Sequence, residues 1–162
     1  MKKTGLYRGK QHLFVFERYQ GVLQYDERKP EASQIRIAIE SASLVNHDTW
    51  VSAKDLRQIR DFALNDMLDA AHHRDITFVS NAIRAAGAGQ FQVEGTLTIR
   101  GIGKPATVLV SLEPRTGGTL VFRGESPVRL SAYGLKPPSA AMGMIGTKDE
   151  MTFSFSLCAS AP

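Results

Sequence analysis

The sequence predicts an all-β domain, an antiparallel sandwich or closed barrel of about eight short strands. Three observations predict it. Apolar residues fall at every second position in several separate stretches, turn signals recur about every ten residues, and no strand–helix–strand rhythm is present. At 162 residues the chain fits a single domain, 1–162, large enough to bury a core without cross-links.

Thr4 to Gly9 carry too little pattern to place. His12 to Phe16, HLFVF, is apolar at odd and even positions alike and is expected as a strand covered on both sides, or one whose outer face is capped by another element. Glu17 to Gly21 would turn the chain into a strand at Val22 to Tyr25. Asp26 to Ser33, DERKPEAS, reads as a charged loop too polar to be covered. Gln34 to Glu40 alternates, with Ile35, Ile37 and Ile39 inward and Gln34, Arg36 and Glu40 outward.

Between Asn46 and Arg74 the period changes to that of a helix. Ser52 with Asp55 three residues later resembles a capping box, and Leu56, Ile59, Phe62 and Ala63 then form an apolar stripe. Asn65 is expected to cap a second short helix that packs Met67, Leu68 and Ala71 inward. In a barrel this helical insertion would lie over one opening.

Strand character returns at Ile76 to Ile83. In Gln90 to Leu112 a whole hairpin is legible. Phe91, Val93, Leu97 and Ile99 share one face, while Gln90, Gln92, Glu94, Thr96, Thr98 and Arg100 share the other. Gly101 and Gly103 supply the turn, and Ala106, Val108, Val110 and Leu112 resume the alternation after Pro105. Gly95 leaves a gap in the buried row and predicts a bend or bulge. Thr119 to Arg123 and Pro127 to Ala132 read as two further strands. The last strand, Met151 to Leu157, sets Met151, Phe153, Phe155 and Leu157 against Thr152, Ser154 and Ser156.

The formal net charge is +4, but Lys and Arg are scattered among acids instead of clustered, which argues against nucleic-acid binding. No apolar run reaches the roughly 20 residues that span a bilayer. The basic MKKTGLYRGK lacks an apolar core behind it, so the sequence as read carries no signal peptide. Cys158 is the lone cysteine and forms no internal disulfide.

Catalytic chemistry finds little to stand on. His12, His47, His72 and His73 make no spaced ligand set, and His72 and His73 are expected to satisfy carbonyls at a helix C-terminus. Ser80 and Ser126 have no base at a meaningful spacing and no G-x-S-x-G elbow. Glu94, Asp75 and Glu125 would pair only if the fold gathered them. The expectation is therefore no enzyme, no metal and no required cofactor. What remains is the inward face, whose rows either fill a core or surround a cavity, since a barrel of about eight strands has room for side chains or one small ligand.

A resemblance bears on that choice. Gly95 to Pro105, G-T-L-T-I-R-G-I-G-K-P, resembles the signature G-x-L-T-[IL]-[RH]-G-[VI]-x-[KR]-P of the YceI-like, polyisoprenoid-binding family. Asp66 to Ser80, DMLDAAHHRDITFVS, is similar to that family's short helix leading into a strand ending I-x-F-x-S. Ser131 to Lys148, with Tyr133-Gly134-Leu135-Lys136-Pro137-Pro138, resembles its segment before the last strand. The resemblance implies a lipocalin-like barrel around a cavity that holds a hydrophobic ligand, an isoprenoid lipid or quinone. The expected lining is then Ile37, Ile39, Phe78, Phe91, Val93, Leu97, Ile99, Val108, Val110, Phe153, Phe155 and Leu157. It also implies a periplasmic or secreted location.

The resemblance is incomplete at the start. Family members begin with a strand like D-x-x-H-S-x-[LIV]-x-[FV], and here only Lys3 to Tyr7 could stand for its tail. A missing first strand would leave an edge open to a second copy, hence a homodimer, and would uncover His12 to Phe16. The rival to a lipid carrier is an interaction module with a filled core that presents loops such as Lys136 to Thr147 to a protein partner.

Overall fold

Strands with one wet and one oily face must cover the oily one, and this chain does so by curling one sheet around it. The computed structural model describes residues 12–114, 117–136 and 149–160. Among the described residues there are nine strands and one α-helix. The strands are β1 Phe14–Phe16, β2 Tyr19–Gln24, β3 Gln34–Glu40, β4 Leu44–Asn46, β5 Asp75–Gly87, β6 Gln90–Ile99, β7 Ile102–Pro114, β8 Leu120–Arg129 and β9 Glu150–Ala159; the helix is α1 Ala53–Phe62. Seven strands form one antiparallel sheet in the order β2-β3-β5-β6-β7-β8-β9, and β1 pairs with β4 in a separate ribbon. No ladder among the described residues joins β2 to β9, so the sheet is a curled half-barrel with two edges.

Cross-strand partners share a face, so the register can be followed as rows around the curl. Ile37, Phe78 and Leu97 form one such row. Ile83, Val93 and Val108 form another, and Phe91, Val110, Gly124 and Phe155 a third. These rows are the inner face. They divide into two packed clusters. The lower one joins Ile76, Leu97, Ile99, Val128 and Leu130 to the helical segment through Ala63, Met67 and Leu68, and Tyr133 and Leu135 close it. The upper one gathers Ile83, Val93, Val108, Val110 and Phe122.

The helical insertion therefore covers the lower opening, as its position in the sequence predicts. Ser52 caps α1, its Oγ accepting from Asp55 N at 3.1 Å. The expected second helix does not form. Phe62 and Ala63 keep right-handed helical backbone, and the helix runs on into a wide π-turn, Ala63–Met67, with Leu68 N donating to Ala63 O at 2.9 Å. Asn65 lies inside that turn and caps nothing, and Ala71 is exposed while Met67 and Leu68 are buried.

Other boundaries also differ. β2 begins at Tyr19, so the turn before it shrinks, and the two strands expected at 119–132 are one continuous β8. Ile99 faces Ile102, which confines the hairpin turn to Arg100 and Gly101, at φ +51° and +73°. Gly103 is a strand residue opposite Thr98. Pro105 is tolerated inside β7 because β8 pairs with β7 only from Leu109 onward. β1 is covered on one face only: Phe14 and Phe16 are half-buried, whereas Leu13 and Val15 are exposed. The strand is not left uncovered at its edge, since β4 pairs with it.

Gly95 lies opposite a ladder irregularity between Ser80 and Ala82, the bulge its gap predicts. There the Ser80 hydroxyl accepts from Ile35 N at 2.9 Å, continuing the β3–β5 connection where the ladder stops. Ser126 does the same between β8 and β7, donating to Thr107 O at 2.8 Å just past the last paired residues.

Candidate functional site

The inner face collects every residue predicted as lining. Ile39, Leu97, Ile99 and Phe153 lie in the lower cluster, and Phe91, Val93, Val108, Val110, Phe155 and Leu157 in the upper one. Phe78 belongs to both clusters, and Ile37 is its cross-strand partner. The two halves differ in kind. The lower half is sealed by the helix, while in the upper half Phe91, Phe155 and Leu157 are only partly buried, as are Leu23 and Ile35 near the β2 edge.

A cleft opens in the upper half. Phe91, Val93 and Val110 line it from the predicted set, and Leu23, Ile35, Ile83 and Phe122 complete its walls. Ile35 was legible as inward from its alternation. Much of its ceiling comes from a segment read as solvated: Pro30 and Ser33 of the charged loop line it, beside Tyr25 just past the end of β2. Pro30 starts a short 3-10 turn, Pro30–Ala32, and Ser33 is buried. The loop folds inward because it satisfies its own backbone: Asp26 Oδ1 accepts from Arg28 N and Lys29 N at 2.9 and 3.0 Å, and Ser33 Oγ accepts from Asp26 N at 3.0 Å. With those groups paired, its charged side chains stay outside and the apolar ring of Pro30 faces the cleft. The free volume enclosed there is about 20 Å³, room for about one water.

The polar groups near this face serve the ladder. Ser80 and Ser126 are spent on backbone partners, with no imidazole against either among the hydrogen bonds of the described residues. Glu94 bonds Gln92 and pairs with Arg84 at 3.3 Å, on the outer face, and Asp75 and Glu125 are exposed on other strands. No acid pair is assembled from the three.

The histidines take structural partners. His12 Nδ1 is 2.6 Å from Asp48 Oδ2, whose other oxygen accepts from Leu13 N, tying β1 to the turn after β4. His72 does not bond helix carbonyls as expected; its Nδ1 is 2.7 Å from Asp69 Oδ1. That hydrogen bond, with the nearby charges of His72, His73 and Arg100, holds the Asp69 carboxyl below its ordinary range. The carbonyls go instead to Arg100, whose guanidinium donates to Asp66 O at 3.2 Å and reaches Met67 O at 3.5 Å. A cation at a helix end does the same work whichever residue brings it, and the hairpin delivers Arg100 first. Among the described residues no group of His, Cys, Asp and Glu has a geometry that could hold a metal ion. The loop after Lys136 and the residues before His12 lie outside the described residues.

Comparison with known proteins places this geometry. The YceI-like domain family matches residues 5–159. A UPF0312 protein of Pseudomonas syringae pv. syringae is 32% identical over 133 residues, covering 76% of this chain and 64% of the relative. Another from Pseudomonas fluorescens is 30% identical over 129 residues, with the same coverage of 76% and 64%. The chain thus spans about 64% of the length of these curated relatives. Among solved structures, BcnA of Burkholderia cenocepacia superposes with a TM-score of 0.78 at 28% identity, covering 91% of this chain and 87% of that one. A polyisoprenoid-binding domain from Saccharophagus degradans, implicated in plant cell wall breakdown, gives a TM-score of 0.62 at 13% identity over 89% and 93% of the two chains. At that identity the likeness is one of fold.

Proposed function

Because the chain belongs to the YceI-like domain family, we propose that it binds an amphiphilic lipid with a long isoprenoid tail, such as an isoprenoid quinone, and carries or sequesters it without chemical conversion. The observation that supports this is the inner face itself: rows of apolar side chains run the height of a half-barrel, and in its upper half Phe91, Phe155 and Leu157 are only partly buried around a buried centre of Ile83, Val93 and Val110. Each methylene buried there is worth roughly 0.8 kcal/mol, so a long tail is held without any orienting charge. A head group stays at the mouth, beside the Asp26–Ser33 loop. The solved polyisoprenoid-binding domain of the same fold supports the ligand class. The family's setting supports a periplasmic or secreted place of action, and among the described residues no helix is long and apolar enough to cross a membrane.

The cleft under the loop has about 20 Å³ of free space, far below the volume of such a tail, so in this reading the loop swings away, or the tail enters by the gap between the β2 and β9 edges, or it extends into the wider open cleft of about 460 Å³ that Phe91, Val110 and Phe155 also line. The same small volume favours the rival, an interaction module with a filled core and no ligand. Native mass spectrometry of protein purified without detergent separates them. A co-purifying isoprenoid, or uptake of added quinone at one per chain, is the expected result; protein that is repeatedly empty and refuses quinone leaves the filled module.

A further inference from the structure

The two apolar clusters of the inner face share one side chain among the described residues, and it is Phe78. Its position is fixed from the neighbouring strand. Gly95 has no side chain, and a Cβ built there would stand 2.6 Å from Phe78 Cζ and 2.9 Å from Cε2, so the ring occupies the space that any larger residue would claim. Above this level the cleft is lined by partly buried Leu23, Ile35 and Phe91 and by buried Ile83, Val93 and Val110. Below it Leu97 and Ile99 are each 7% exposed and packed against the end of the helix.

We infer that Phe78, seated on Gly95, is the floor of the lipid site and sets the length of tail that the protein accepts. The inference rests on the lipid-binding reading above and adds a length limit to it. Along β6 the distance from Phe91 at the cleft to Gly95 at the floor is four residues, about 13 Å at the usual strand rise of about 3.3 Å. A tail longer than this meets the ring, and its remainder stays outside or bends back toward the β2–β9 gap. Glycine at 95 and phenylalanine at 78 act together: the glycine lets the ring lie across the interior, and the ring stands between the half that holds the cleft and the half that packs on the helical segment. The analogous contact in the upper half, Phe155 Cζ 2.6 Å from the Cβ position of Gly124, shows the same fit where no second cluster lies beneath.

The test measures selectivity. Dissociation constants of farnesol and of solanesol, a short and a long prenol, are determined by equilibrium dialysis for the full chain, for Phe78→Leu and for Phe78→Ala. Each newly buried methylene is worth roughly fourfold in affinity, so Phe78→Ala should raise the affinity for solanesol relative to farnesol by about tenfold or more. Phe78→Leu should shift the ratio the same way by less. A merely structural role would weaken both prenols together and leave their ratio where it was. If the ratio is unchanged in whichever variant is folded, while the parent binds prenol, the floor is elsewhere and the inference is overturned. Where Phe78→Ala fails to fold, Phe78→Leu decides. If the parent binds neither prenol, the binding reading itself falls, a result distinct from an unchanged ratio.

Discussion

Phe78 packs against the bare Cα of Gly95, with Val79 O in close contact with the place a Cβ would take and Phe78 Cζ 2.6 Å from it. A methyl group there meets backbone on one side and a ring on the other, and only the ring can move. Gly95→Ala should therefore cost stability in the overpacking range of roughly 1–3 kcal/mol. The double variant with Phe78→Leu should recover part of it, because the carbonyl contact persists. Urea unfolding of the four proteins in this cycle measures the coupling, and purely additive effects would show that the two residues do not press on each other.

Arg100 does two jobs that pull in opposite directions. Its φ of +51° suits glycine, yet its guanidinium satisfies Asp66 O and Met67 O at the end of the helical segment. Arg100→Ala keeps the strained backbone and loses the hydrogen bonds, which should cost about 1–2 kcal/mol. Arg100→Gly loses the same bonds but relieves a left-handed conformation worth about 1 kcal/mol or more, so it should fall closer to the parent. Thermal unfolding ranks the three; alanine at or above glycine would show that the left-handed backbone costs less than stated, and a parent no more stable than alanine would show that the cap matters less.

Acid should weaken the fold. Glu40 is held below its ordinary range by hydrogen bonds from Arg18 at 2.7 and 2.8 Å, Asp69 by His72, and Asp149 by Ser131, whose backbone N is 2.7 Å from Asp149 Oδ1. A carboxylate whose folded pKa is depressed adds stability that is fully present above its unfolded value of about 4 and is lost as pH falls through the folded one. Tm from these groups should thus hold steady down to about pH 5 and decline below about pH 4. All three are only half-buried and screened by solvent, so each contribution is small. Asp149→Asn should flatten the decline, and an unchanged profile would remove Asp149 from the account.

The Asp26–Ser33 loop is held by its own hydrogen bonds more than by the barrel. Asp26→Ala removes the acceptor of Arg28 N and Lys29 N, worth about 1 kcal/mol each. The loop should then open more often, and a bound isoprenoid should leave up to roughly thirtyfold faster with the fold intact. Stopped-flow transfer of a fluorescent prenol to vesicles reads the rate; equal rates would place the route at the β2–β9 gap.

β9 offers ten residues of strand with no neighbour on its outer side among the described residues, and between Met151 and Ala159 it carries no charge. Such an edge invites pairing. Sedimentation velocity should show dimer growing with concentration, and Ser156→Lys should suppress it. A monomer at every concentration would count against edge pairing.

Much of this was legible in order along the chain. Strict alternation fixed the inner face because side-chain direction in a strand has period two, so Phe91, Val93, Leu97 and Ile99 could face only one way once any of them was buried. Local chemistry of other kinds made the Ser52 cap and the bulge opposite Gly95 legible, an unpaired first-turn N–H in one case and a missing side chain in the other. What local pattern does not hold is distance across the fold. That Asp26–Ser33 roofs the cleft, that Arg100 reaches the helix end, and that Phe78 bridges two clusters all depend on curvature and on which segments arrive beside each other. Polarity made the loop look solvated, and only internal pairing of its backbone lets Pro30 turn inward. How much room the inner face encloses is likewise a question of curvature, set by how far a seven-stranded sheet curls while its β2 and β9 edges stay unjoined among the described residues.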